Sequence, residues 1–312
     1  MASFVRLLPV ALMCFLIPSV TAEAEMCAID MGSNSVRRIV GSFDNGRYSQ
    51  RDIEMRTLSV GDDVTRHGRI TDARLAEIER TLTEFTRACA KDGAAPIVAV
   101  GTAAYRQAPN GRRVVEIASR VGVAMEIATE SRESELAYLV GSLGRDGFAV
   151  IDNGSRSIEL ASKDNGALRY RVVDLGYRVA YERFFADASD PSAAVEALRQ
   201  ELLQVASKAA FMTGRNALIG IELGEMASAF LGVADIEGRA IPLGVLKKKL
   251  EEISSLTPDA FEAFKKTKDI DRALPRLVVA LTLAEAFGYS QIVLTGRELG
   301  TGLIIEAALN QR

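Results

Sequence analysis

One short phrase occurs twice in this chain. The first copy is Ala28-Ile29-Asp30-Met31-Gly32-Ser33-Asn34-Ser35, and the second is Val150-Ile151-Asp152-Asn153-Gly154-Ser155-Arg156-Ser157. Each runs from an apolar residue through Ile-Asp to a Gly-Ser turn and a second Ser. Each then enters a β-prone segment that ends in Asp-Asn-Gly, at 44–46 and 164–166. Asn-Gly between alternating apolar runs is a strong hairpin signal. The two copies lie about 120 residues apart, a domain-sized spacing and not that of a solenoid module. The phrase therefore predicts a duplicated α/β chain in which each half contributes one strand–turn–strand.

The rest of the pattern is consistent with this. In the first half, strands are expected at 27–31, 36–43 and 48–60. A helix from 72 presents Leu75, Ile78, Leu82 and Phe85 on one face. The polar run 65–69, which carries His67, reads as a surface loop. A strand follows at 96–102, a helix at 112–121, a strand at 125–128 and a helix at 133–143. The three-strand unit then restarts at 148–152, 158–162 and 168–173. Helices are expected at 177–185, 191–212, 243–252, 258–266, 274–287 and 303–309, with strands at 217–221 and 292–295. Leu274, Leu277, Val278, Leu281 and Leu283 form an apolar face suited to a core or a dimer contact.

The first residues read as a secretory signal. Arg6 is the positive start, 7–20 are apolar but interrupted by Pro9 and Pro18, and small residues near 20–24 suit cleavage. Residues 1–24 are therefore expected to leave, placing the protein in the periplasm or outside the cell. The expected domains are 25–128 and 129–312. No later segment is long and apolar enough to span a bilayer. A net charge of −3 gives no basic field for nucleic acid. A single histidine excludes a multi-His metal site. Cys27 and Cys89 remain after cleavage, either as a disulfide or as two buried thiols.

Asp-x-Gly-Ser-x-Ser between two strands suits a phosphate. Glycine allows backbone amides to converge on one concavity, where they bind anions. Serine hydroxyls add donors. An Asp at the strand end can hold Mg²⁺ through water. Two such turns facing one cleft can clasp a phosphate chain.

Four segments resemble the exopolyphosphatase / guanosine pentaphosphate phosphatase family of the actin and sugar-kinase superfamily. They are 28–35, 100–110 (Val-Gly-Thr-Ala-Ala-Tyr-Arg-Gln-Ala-Pro-Asn), 132–139 (Arg-Glu-Ser-Glu-Leu-Ala-Tyr-Leu) and 150–160. The resemblance implies an α/β fold of two actin-like (ribonuclease H-like) domains with a cleft between them. It implies Glu133 as the general base that activates water. Phosphate binding falls to Gly32, Ser33, Asn34 and Ser35, to Arg106, and to Gly154, Ser155, Arg156 and Ser157. Asp30, Asp152 and Glu159 are the metal-side acids, with Mg²⁺ or Mn²⁺ as cofactor. Polyphosphate or another phosphoanion is the implied partner, and a homodimer is possible on the apolar face above. Phosphoryl transfer suits such a set, because it needs charge neutralisation and an in-line nucleophile.

The chain also departs from the family. Ser155 and Arg156 replace two of three consecutive glycines, Ile158 replaces a threonine, and Arg132 replaces a glutamate. Gly300 stands where the family has arginine. Arg156 has three readings: a bidentate anion ligand, a partner of Asp152 or Glu133 that blocks metal, or a solvent-facing side chain. The function expected is release of orthophosphate from polyphosphate. The alternative is a non-catalytic anion- or partner-binding protein; a kinase is disfavoured by export. Asp62 and Asp63 read as exposed acids, Lys247–Lys249 and Arg112–Arg113 as surface charge.

Overall fold

A computed structural model describes residues 25–311; the expected signal segment 1–24 lies outside the described residues. The first half comprises β1 (Met26–Met31), β2 (Ser35–Asp44), β3 (Arg47–Thr57), α1 (Val60–His67), α2 (Asp72–Lys91), β4 (Ile97–Gly101), α3 (Ala103–Gln107), α4 (Arg112–Arg120) and β5 (Ala124–Ile127). Helix α5 (Glu130–Ser142) connects the halves. The second half comprises β6 (Ala149–Asn153), β7 (Ile158–Asp164), β8 (Ala167–Val173), α6 (Tyr177–Phe184), α7 (Pro191–Ser207), β9 (Leu218–Ile221), α8 (Gly224–Leu231), β10 (Ala240–Pro242), α9 (Leu243–Ser254), α10 (Pro258–Lys265), α11 (Ile270–Ala286), β11 (Gln291–Leu294) and α12 (Thr301–Leu309).

The two sheets repeat one plan. The first has the order β3-β2-β1-β4-β5 and the second β10-β11-β9-β6-β7-β8. In each, the signature strand pairs antiparallel with the next strand on one side and parallel with a later strand on the other. β1 and β6 thus lie inside their sheets, and every residue of both is buried. The Asp-Asn-Gly turns form as the sequence predicts. Asn45 and Gly46 have φ of 49° and 78°, and Asn165 and Gly166 have 48° and 80°. Two consecutive positive φ angles match the right-handed twist of a hairpin.

Each sheet packs on its own helices. Leu75, Ile78, Leu82 and Phe85 of α2 are buried against β1 and β4. Cys27 of β1 and Cys89 of α2 are disulfide-bonded, with Cα atoms 6.0 Å apart, which decides between the two expectations for this pair. In the second half α11 is buried along nearly all its length, so Leu274, Leu277, Val278, Leu281 and Leu283 are core and not an exposed face. Helix α12 packs on both α5 and β2, joining the halves.

Several expectations need correction. Strand β3 stops at Thr57, and residues 60–67 form α1 where the sequence suggested strand end and loop. The turn begins at Ser59 with φ 48° and ends at Gly68 with φ 67°, and Asp63 accepts from both Thr71 N and Thr71 Oγ1 (2.7 and 2.9 Å). The helix expected over 191–212 ends at Ser207, followed by a single 3₁₀ turn at Ala210–Met212. Helix α5 starts three residues before Glu133, capped by Thr129 Oγ1, which accepts from Arg132 N at 3.2 Å. α3, α8 and β10 were not expected.

Candidate active site

The two repeated turns face one cavity of about 120 Å³. Every site residue expected from sequence lines it except Arg106. The backbone shows how each turn is held. In the first, Leu58 N and Ser59 N donate to Asn34 O (3.0 and 2.8 Å), and Gly61 N donates to Ser33 O (2.7 Å). In the second, Gly176 N, Tyr177 N and Arg178 N donate to the carbonyls of Arg156, Gly154 and Ser155 (2.8, 3.0 and 3.1 Å). In both halves the start of the helix after the third strand binds the carbonyl side of the turn. Among the described residues, the amides of Ser33, Asn34, Ser155 and Arg156 have no acceptor. A turn with its carbonyls engaged and its amides free is an anion cradle.

Gly176 is required at this junction. A Cβ there would lie 2.5 Å from the Arg156 carbonyl carbon, the Gly154 oxygen and the Ser157 nitrogen. Gly300 lies less closely against the first two strands, since its Cβ would be 3.2 Å from Asp30 Cβ of β1 and 3.0 Å from Ile39 Cδ1 of β2.

Four carboxyl groups converge below the turns. Asp30, Glu133, Asp152 and Glu159 are 4–6% exposed. Burial disfavours the charged form of each. It pushes Asp30 up to about 6 against the pull of Arg37. It pushes Glu159 up to about 8, with the neighbouring Glu133 adding to it, although Ser157 Oγ donates to Glu159 Oε1 at 2.5 Å. Asp152 is held well above the usual carboxylate range by burial and then by Glu159. Glu133 is raised by burial and pulled back by Arg106. Arg106 Nη1 donates to Glu133 Oε2 at 2.5 Å and to Ala128 O at 2.7 Å. Arg106 thus faces the base and not the cavity.

Arg156 reaches across the cleft mouth, where Nη1 donates to Thr65 Oγ1 of α1 at 3.3 Å. It pairs with neither Asp152 nor Glu133. Arg132 forms ion pairs with Glu306, Glu126 and Glu135, away from the cavity.

Sequence reasoning missed a second charged layer. Glu222, just past β9, binds Arg37 of β2 at 3.2 Å and Arg276 of α11 at 2.9 Å. It adopts φ 60°, a left-handed conformation unusual for a side chain of this size. Arg276 is 1% exposed, stacks over the Tyr177 ring at 4.0 Å and also binds Glu225 at 3.1 Å. The signals were present: arginines inside apolar β2 and α11 runs, and a carboxylate at the end of a parallel strand, where α/β ligands bind.

Among the described residues no three His, Cys, Asp or Glu side chains are grouped to hold a metal alone. The oxygen donors suit Mg²⁺, which keeps several waters and takes one or two carboxylates plus substrate phosphates. Asp152 Oδ1 is buried with no hydrogen-bond partner in the protein. Once the carboxyl is ionised, an oxygen of this kind only accepts, and it fits a cation or its water.

The exopolyphosphatase 1 of Mycobacterium leprae is 27% identical over 142 residues, 43% of this chain and 41% of that protein. An uncharacterised Streptomyces coelicolor protein is 28% identical over 184 residues, 56% of this chain and 54% of its own. The chain therefore spans about half or less of these two relatives. Two solved structures are similar along almost their whole length. A Ppx/GppA family member of Aquifex aeolicus has a TM-score of 0.78 at 22% identity, covering 93% of this chain and 99% of that one. An exopolyphosphatase of Cytophaga hutchinsonii has a TM-score of 0.69 at 19% identity, covering 92% and 98%. The fold is the actin-like two-domain α/β fold of these structures. The sequence itself matches the Ppx/GppA phosphatase family over residues 44–311, and the chain belongs to that family.

Proposed function

We propose that this protein is a phosphohydrolase that releases orthophosphate from the end of a polyphosphate chain. One observation carries the reading: two amide-lined turns face each other above the buried carboxylates Asp30, Glu133, Asp152 and Glu159. The free amides of Ser33, Asn34, Ser155 and Arg156 bind and orient the terminal phosphoryl group. Glu133 accepts a proton from a water held beside it. The water oxygen bonds to the terminal phosphorus, the bridging P–O bond breaks, and the shortened chain leaves with the bridging oxygen's electron pair. Arg106 opposes the effect of burial on Glu133 and so favours the ionised form that serves as a base. Asp152 with Asp30 or Glu159 would hold Mg²⁺ or Mn²⁺, which when bound would supply neutralisation of charge on the phosphate oxygens. Export is part of the proposal, and the Cys27–Cys89 disulfide supports an oxidising compartment. The family relatives named exopolyphosphatase support the substrate class.

The rival reading is a phosphoanion-binding protein without turnover. Its support is Arg106, which already occupies the Glu133 carboxylate. Phosphate release from long-chain polyphosphate with Mg²⁺ decides between them, using the wild type, Glu133→Gln and Arg156→Gly. Release by the wild type that is lost in Glu133→Gln is expected. No release from the wild type, with activity appearing in Arg156→Gly, favours the binding protein. Silence from all three sinks the polyphosphatase reading.

A further inference from the structure

The cleft continues beyond the first cavity. Ser33, Ser155 and Arg156 also line a second cavity of about 270 Å³, which opens between α1 and α6. The two cavities differ in charge. The inner one is lined by six carboxyl groups against four guanidinium groups. The outer one has three guanidinium groups, of Arg66, Arg156 and Arg178, against the carboxylates of Asp62 and Glu182. Val179 is its one hydrophobic side chain and no aromatic ring lines it, so a nucleobase finds no stacking surface. Asp62 binds Arg178 across the cleft at 2.6 Å. Arg66 has no carboxylate partner among the described residues.

We propose that this outer cavity is a subsite for the inner phosphates of a linear polyphosphate chain, with Asp62 as a built-in competitor for Arg178. The inference rests on the reading that the inner cavity takes the chain's terminal phosphate. A chain seated there leaves past Arg156 and enters the outer cavity. Its next phosphates meet Arg66 directly, and meet Arg178 by displacing the Asp62 carboxylate. A short anion such as pyrophosphate gains nothing from this space. A chain of several phosphates does, through charge-assisted hydrogen bonds to guanidinium groups. Asp62 thereby sets the length at which binding becomes favourable.

The test is isothermal titration of Glu133→Gln protein with Mg²⁺, comparing pyrophosphate with a linear polyphosphate long enough to cross both cavities. Arg66→Gln, Arg178→Gln and Asp62→Asn are added singly to that background. Arg66→Gln and Arg178→Gln are each expected to weaken long-chain binding about tenfold while changing pyrophosphate less than about twofold. Asp62→Asn is expected to tighten long-chain binding by about three- to tenfold. Equal effects on both ligands, or none, overturn the subsite. Weaker chain binding in Asp62→Asn overturns the competitor role and makes Asp62–Arg178 a contact that closes the cleft. Wild-type hydrolysis, assayed alongside, separates the two ideas. If phosphate is released but length dependence ignores Arg66, the hydrolase stands and the subsite falls. If nothing is released yet the arginine variants behave as expected, the subsite stands and the hydrolase falls.

Discussion

On the proposed hydrolase reading, replacing Arg106 by glutamine should change the pH at which phosphate is released more than the maximal rate. Arg106 Nη1 lies 2.5 Å from Glu133 Oε2, and Glu133 is 6% exposed. Burial raises the Glu133 carboxyl, as do Asp30 and Glu130, while Arg106 is the principal group that lowers it. An arginine beside a carboxylate holds its pKa down by about 1 to 3 units, or about 1.4 to 4 kcal/mol. In Arg106→Gln the base therefore becomes protonated at a higher pH. The assay is kcat/KM for polyphosphate from pH 5 to about 9.5. The acidic limb is expected to move up by about 1 to 3 pH units. On the acidic side of the wild-type limb activity should then fall about ten- to a thousandfold, one decade per unit, with recovery towards the alkaline end. Loss by one factor at every pH would refute the reasoning, since it would place the guanidinium on the substrate. An unchanged profile would refute it too.

The pH dependence of stability should run in the acid-favouring direction. Asp30 and Glu159 are raised in the folded state to about 6 and about 8. Their contribution is fully present below the ordinary carboxylate range and is lost as pH rises through those two values. Denaturant unfolding of metal-free protein should thus show stability falling by a few kcal/mol between pH 5 and 8, and a rise over that window would contradict the burial argument. Gly176→Ala should push the second turn away from α6, because three backbone atoms stand 2.5 Å from the new Cβ. A loss of about 3 kcal/mol with weakened phosphate binding is expected, against little change in Gly224→Ala, whose Cβ meets only Ile236 Cδ1 at 3.6 Å. Equal, small effects of the two would show that the turn can relax.

The sequence carried much of this architecture because its signals are local. Asn45-Gly46 and Asn165-Gly166 demand positive φ, and Asp30 and Asp152 are penultimate in strands that open on short apolar runs. The α1 helix escaped because it lacks such a signal. Ser59 caps it in a left-handed conformation with no side-chain bond to the helix, and its first turn holds Gly61, Asp62 and Asp63. Its counterpart in the repeat, α6, was legible as a helix over 177–185, and aligning the halves would have revealed α1. Glu222, Arg37 and Arg276 escaped for another reason. Each is visible singly as a charge beside an apolar run, but they meet only through tertiary packing, and no spacing announces that meeting. The role of Arg106 was similarly out of reach, since its partner lies 27 residues away on another helix.

Each turn is fastened to a helix of its own half: the first by Leu58, Ser59 and Gly61, the second by Gly176, Tyr177 and Arg178. Neither turn leans on the other for its shape. The two halves of the site can therefore diverge separately, one keeping Gly-Ser-Asn-Ser while the other accepts Gly-Ser-Arg-Ser. A duplicated ancestor with this wiring leaves its descendants two grips that can be re-tooled one at a time, and Arg156 is what such re-tooling looks like when the second grip changes and the first does not.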